Sequence, residues 1–302
     1  MPDQRDIVFV IERRLERAGS VHMRGRQLAR LFADVAADYG RDVRLAYTDE
    51  ALGGVVAIVN KSALMRPNVG VAARLRDAGC IVLVDYVDGR IDQPSGDAAH
   101  GFIACSALQF RHLRQQWPDK PCIHLPHHAD LDIGDVACQW DRFRCAYFGH
   151  PDNALHLAPL AEAGLVTPVV TQRENISGWM DRLPEFNLHY AFRPRALWGR
   201  GFKPFTKGFT AARVGAVVLV ADCDEEATEL LGADYPFRLP GTADAATVAA
   251  RLEAMRDGFG GADWTLARSR MGRLREVSSA AYLRALIRAH FFEEGGLAAA
   301  LR

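Results

Sequence analysis

Four runs in this chain are apolar at every position: Ile7–Ile11 (IVFVI), Val55–Val59 (VVAIV), Cys80–Val84 (CIVLV) and Ala216–Val220 (AVVLV). A strand with one wet face alternates apolar and polar residues. A five-residue run that does not alternate must be covered on both faces, as in a parallel sheet between two layers of helix. The segments between the runs supply those helices. Met23–Tyr39 puts Leu28, Leu31, Phe32 and Val35 on one face, Val69–Ala78 is stopped by Gly79, and Ser106–Gln116 is a third helix. Val43–Tyr47, Gly101–Cys105 and Cys122–Leu125 complete a first set of strands.

The pattern then restarts. Strands are expected at Arg144–Phe148, Thr167–Thr171, Phe186–Tyr190, Ala216–Val220 and Phe237–Leu239. Helices are expected at Asn153–Ala163, Gly178–Leu183, Lys207–Arg213 and Asp224–Leu231, with a helical remainder ending in Ser278–Phe292. At 302 residues the chain is long for one core and suits two. The fold class is therefore α/β, two doubly wound Rossmann-like domains facing across a cleft. The polar stretch Asp130–Asp141 divides residues 1–135 from 136–302, and open sheets of this kind bind ligands beyond the carboxyl ends of their strands.

Composition narrows the function classes. Lysine plus arginine equals aspartate plus glutamate, 37 against 37, so no overall field draws the chain to nucleic acid or an anionic membrane. The six cysteines form no C-x-x-C pair and read as reduced thiols. No apolar stretch reaches the ~20 residues that span a bilayer, and the polar start, Met1–Asp6, runs straight into a strand without a signal peptide. A cytoplasmic protein is expected.

Candidate chemistry lies at strand ends and helix starts. After the first strand, Gly19, Ser20, His22 and Arg24 sit where a helix N-terminus can hold a phosphate. Lys61, Asp85 and Asp88 follow the third and fourth strands, and an aspartate there can act as a general base toward an acceptor hydroxyl. His124, His127, His128, Asp130 and Asp132 are dense in ligand atoms but follow a strand and include Pro126, which prevents ligands from sharing one helical face; no metal is expected there. In FKPFTKGFTAARVG, Lys203, Thr206 and Lys207 precede or open a helix closed by Gly215, a suitable place for a diphosphate.

In the order of these features the chain resembles the GT-B glycosyltransferases, particularly the retaining group whose C-terminal domain binds the nucleotide. Gly19-Ser20-Val21-His22 resembles that family's glycine-rich loop, and Phe102–Asp130 is similar to the segment that closes its N-terminal domain. Tyr147-Phe148-Gly149 resembles the first strand of its second domain, and Phe202–Gly215 the loop and helix that grip the donor. The final helix would cross back to the first domain. Where the retaining group carries two glutamates eight positions apart, this chain has Phe202 and Thr210, and its K-P-x-x-K form resembles relatives in which lysine contacts the phosphate.

The resemblance implies transfer of a sugar from a nucleotide-sugar co-substrate to a hydroxyl acceptor (a glycan, a lipid-linked or a small molecule), without a bound cofactor or metal. It implies donor contacts from Gly19, Ser20, Arg24, Gly149, His150, Arg193, Lys203, Thr206, Lys207 and Thr210, with Asp85, Asp88 and His22 as candidate bases. Asp222, Asp224 and Glu225 either reach the donor's hydroxyls or cap a helix. The alternatives are an epimerase, a non-catalytic nucleotide-sugar-binding protein and a transferase acting on modified bases in DNA; the neutral net charge ranks a nucleic acid below the other acceptors.

Overall fold

The computed structural model describes residues 5–68, 70–170, 178–193 and 202–293. The expectations made for Met1–Gln4, Val69 and Thr171 lie outside these residues. The chain divides into two compact units: Met1–His127 with Arg200–Pro204 and Ala280–Arg302 form the first, and His128–Gly199 with Phe205–Ser279 the second.

In the first unit six strands form one sheet in the order β2-β1-β3-β4-β5-β6, all parallel. They are β1 (Ile7–Ile11), β2 (Val43–Tyr47), β3 (Val56–Asn60), β4 (Ile81–Asp85), β5 (Gly101–Ala104) and β6 (Cys122–His124). The segment expected as one helix from Met23 to Tyr39 is composite. A helical turn, α1 (Gly19–Val21), opens into a π-turn at His22–Gln27, then α2 (Leu28–Ala36), then a 3-10 turn ended by left-handed Gly40. The helices α3 (Val71–Asp77), α4 (Gln93–Ala98) and α5 (Ala107–Gln116) follow. Sequence patterning gives no sign of α4, which has Ala98 as its one apolar residue and is instead fixed by capping. Asp92 Oδ1 accepts from Ser95 N at 2.9 Å, and Gly96 leaves room for the Trp117 ring, 2.0 Å from where a Cβ would stand.

The two faces of this sheet are filled differently. Val8, Val10, Val59, Val84 and Phe102 pack with Leu75, Leu113 and Trp117. Phe32 is contacted edge-on by Phe9 at 5.2 Å and by Phe291 at 4.7 Å. Phe291 belongs to α11 (Ala280–Phe291), which therefore completes the first unit from the far end of the described chain. Arg284 pairs with Asp34 and Arg288 with Asp38, both at 2.6 Å, fixing α11 along α2.

The second unit carries five parallel strands in the order β11-β10-β9-β7-β8. They are β7 (Cys145–Phe148), β8 (Thr167–Val169), β9 (Leu188–Tyr190), β10 (Val217–Ala221) and β11 (Arg238–Leu239). Its helices are α6 (Leu157–Glu162), α7 (Thr206–Arg213), α8 (Glu225–Leu231), α9 (Ala245–Asp257) and α10 (Ala262–Val277). The helix expected from Asn153 starts at Leu157 instead, because His156 takes a left-handed conformation (φ 57) and bonds Ala243 O through Nε2 at 2.9 Å. The helix expected at Gly178–Leu183 is a 3-10 turn, Met180–Glu185. Trp264 centres the core, with the rings of Trp140, Phe143, Phe237 and Phe259 within 6.0 Å and its Nε1–H donated to Met255 O. All six cysteines are free thiols.

Candidate functional site

Each sheet has one point where the chain leaves a strand in opposite directions, and loops diverge there to leave a crevice. In the second unit that point lies between β7 and β9, since β7 is flanked by β8 on one side and β9 on the other. Gly149 follows β7 and Arg193 follows β9, while α7 begins at Thr206 on the way to β10.

Lys207 is the hub of this region. Its Nζ donates to Phe148 O at 2.5 Å and lies 4.2 Å from the centroid of the Tyr147 ring. Gly149 has φ 149, and a Cβ on it would stand 2.8 Å from Lys207 Nζ and 2.9 Å from Tyr147 Oη. Only glycine lets the ammonium lie against the backbone here. Burial, reinforced by the Arg193 charge, pulls the Lys207 amine down to about 7. A carbonyl and an aromatic face solvate an ammonium poorly, so Lys207 is held where a ligand's negative charge would be strongly felt.

The surrounding groups are firmly placed. Arg193 pairs with Asp224 at 2.6 Å; Asp224 also caps α8 by accepting from Ala227 N. Capping is thus one of the two roles expected of Asp224. Asp222 Oδ1 accepts from Gly241 N at 2.9 Å. His189 is buried and neutral, held at about 3 by burial and the nearby Lys207 charge, and its Nε2 has no hydrogen-bond partner among the described residues. Nothing in the sequence singled out His189, which looks like one more core residue of a strand. Thr206 opens α7, Thr210 is buried one turn further on, and Gly208 gives its Cβ space to the Phe205 ring. His150, by contrast, is largely exposed and caps the turn Pro151–Asn153.

In the first unit the corresponding point lies between β1 and β3. Glu12 N donates across it to Ser62 Oγ at 3.1 Å, and the Glu12 carboxylate accepts from Asn68, Thr48 Oγ1 and Arg14 N. Those bonds, Asn68's foremost, lower its carboxyl below the ordinary range. Gly19 and Ser20 form α1, which no side chain caps. The π-turn directs Arg24 inward: Nε donates to Asp85 Oδ2 at 2.9 Å and Nη1 to Leu125 O and Pro126 O, with both charged side chains sealed from solvent. Burial raises the Asp85 carboxyl, opposed by Arg24 and by the Val87 N–H. His22 shares a 2.9 Å contact with Gln27 Nε2.

Asp88 stands between two lysines. Lys61 Nζ donates to Oδ1 at 2.5 Å and Lys203 Nζ to Oδ2. Burial alone would raise the Asp88 carboxyl, but the two ammonium groups outweigh it and hold it at about 2. The structure thus separates Lys203 from Lys207: the first belongs to the first unit and the second to the other. The histidine-rich loop is divided as well. His124 ends β6 with its ring 5.7 Å from Phe110, His127 N donates to Cys105 O, and buried Asp130 accepts from Asp132 N.

No protein-family model and no curated protein sequence matches the chain. Among solved structures it is similar to a glycosyltransferase from Rickettsia africae, with TM-score 0.59 and 8% identity over 94% of this chain and 96% of that one. It is similar to Anabaena HepE in complex with UDP, with TM-score 0.58 and 11% identity over 94% and 97%. The lipopolysaccharide outer core galactosyltransferase WaaB gives TM-score 0.51 and 9% identity over 94% and 99%. At such identities the likeness is one of fold, and the fold is that of the GT-B glycosyltransferases. Among the described residues no helix is long and apolar enough to cross a membrane.

Proposed function

We propose that this chain is a glycosyltransferase that binds a nucleoside-diphosphate sugar on its second unit and transfers the sugar to a hydroxyl acceptor. One observation carries the reading: an under-solvated lysine, Lys207, lies against the glycine backbone at the divergence point of the second sheet, in the first turn of α7. Breaking the bond between a sugar and a diphosphate leaves negative charge on the diphosphate. An amine already in place, with little water to shed and a proton that the diphosphate's charge draws onto it, lowers the barrier to that step. Arg193 and the free N–H groups at the start of α7 add to the same field.

UDP is the first nucleotide to try, because HepE, similar in fold over nearly its whole length, is solved with it. In this reading Lys207 and Arg193 take the role that a divalent metal plays elsewhere, and Thr206 and Thr210 support the phosphates and the sugar. Asp85 is a positioning residue for Arg24, and Asp88 is too strongly stabilised as an anion to take a proton at neutral pH. The free thiols suit a reducing compartment, and we place the protein in the cytoplasm.

The test is a thermal-shift and calorimetric screen against UDP-, GDP-, ADP-, CMP- and dTDP-sugars, with magnesium or EDTA. One nucleotide family is expected to raise the melting temperature equally in both conditions. Loss of the response in the Lys207→Ala variant would tie it to this site. A protein that responds to none of these donors would overturn the reading.

A further inference from the structure

The convergence of Lys61 and Lys203 on Asp88 has features that an ordinary surface ion pair lacks. The first is charge. Two ammonium groups face one carboxylate, an excess of one positive charge, on side chains only 25%, 32% and 16% exposed for Lys61, Lys203 and Asp88. Among the described residues Asp88 is the one hydrogen-bond partner of either ammonium. Each ammonium carries three donors, so most of this donor capacity is unspent.

The second is place. Lys61 follows β3 and Asp88 follows β4, adjacent parallel strands, at the carboxyl edge where open sheets take their ligands. The third is rigidity. Val87 is a buried β-branched residue at φ 53, a conformation such side chains rarely adopt. Asp85 accepts from its N–H at 3.0 Å, while Cys105 Sγ and Gln109 Nε2 both donate to its carbonyl. Gly89 completes the turn, its missing Cβ leaving room for Tyr86 O at 2.9 Å and the Lys61 stem at 3.0 Å. Backbone strain of this kind persists where the surroundings impose it, and it gathers at ligand sites.

We propose that Lys61 and Lys203 form an anion-binding pair for the phosphate monoester of an acceptor, with Asp88 as a built-in competitor for the same donors. A phosphate monoester brings about −1.5 to −2 charge and three acceptor oxygens, and so matches a lysine pair better than one carboxylate does. Asp88 stays ionised at neutral pH, so it competes constantly and sets a threshold that a singly charged ligand does not pass. Assigning the anion to an acceptor rests on the sugar-transfer reading; the anion pair itself does not.

The experiment titrates inorganic phosphate calorimetrically into the whole chain and its variants, with near-ultraviolet circular dichroism confirming the fold of each. Asp88→Asn keeps the shape and removes the competitor, and is expected to bind phosphate at least tenfold more tightly than the unaltered chain; Asp88→Ala is the second variant if the first does not fold. Adding Lys61→Met or Lys203→Met should abolish that gain, whereas adding Lys207→Met should leave it intact. Equal phosphate affinity with and without Asp88, or a gain that disappears with Lys207 rather than Lys61, overturns the proposal. The nucleotide-sugar screen is read separately. A phosphate gain without any nucleotide response overturns the acceptor assignment together with the sugar-transfer reading, whereas nucleotide binding without a phosphate gain overturns the anion pair alone.

Discussion

Arg24 and Asp85 form a 2.9 Å ion pair in which neither side chain reaches solvent. Their attraction repays two desolvations only while both partners are present. Asp85→Ala strands a guanidinium in the interior and is expected to lower stability by about 3–5 kcal/mol. Arg24→Met combined with Asp85→Leu should recover most of that loss. Urea unfolding of the unaltered chain and the two variants measures it, and a double variant as unstable as the single one would show that the pair does more than neutralise itself.

Lys207 makes ligand binding depend on protons. Its folded pKa of about 7 lies below the ordinary 10.5, so between those values the unfolded chain binds the extra proton and stability rises with pH. The ammonium therefore costs the fold most below about pH 7, and Lys207→Met should flatten this dependence while raising the melting temperature. A bound diphosphate should restore the proton. Near pH 8 a net uptake of protons is expected on UDP binding, seen as a dependence of the calorimetric heat on buffer ionisation. No uptake would mean that the diphosphate does not meet Lys207.

Gly149→Ala tests the close approach of backbone and ammonium. The new methyl group would stand 2.8 Å from Lys207 Nζ, on a backbone at φ 149. We expect a loss of about 1–3 kcal/mol in stability from the conformation alone, and at least about tenfold weaker UDP binding. Melting curves with and without UDP separate the two effects.

Phe291 tests whether the first unit needs α11. The side chain is buried against Phe32, so Phe291→Ala is expected to cost about 3–5 kcal/mol. Hydrogen exchange should show the loss in α2 and β1 and spare β7, β9 and β10.

The sheets were legible from the sequence because β1, β3, β4 and β10 are built on uninterrupted apolar runs, and burial on both faces leaves little alternative. Some helix starts were legible for a local reason: Ser106 and Asp224 cap α5 and α8 through their own side chains. What was not legible depends on contacts distant in sequence or on rare backbone states. Lys203 is four positions from Lys207, and nothing local reveals that it instead meets a carboxylate 115 positions away. Nor does anything local reveal that the π-turn faces Arg24 inward, onto a carboxylate 61 positions away. Glu12 is held by Thr48 and Asn68, both distant in sequence. His156 and Val87 at positive φ break the rules from which element limits are inferred.

The membership of α11 in the first unit also bears on biosynthesis. Residues 128–279, apart from the short return at Arg200–Pro204, build the second unit and are all translated before Ala280. At about 5–20 residues per second, that interval is on the order of ten seconds or more. Throughout it the α2 face that bears Phe32 lacks its cover, and by its end the second unit has every strand and helix described for it. The half that begins first is therefore finished last, and a ribosome that stalls late releases a sound second unit joined to an open first one, a natural substrate for chaperones.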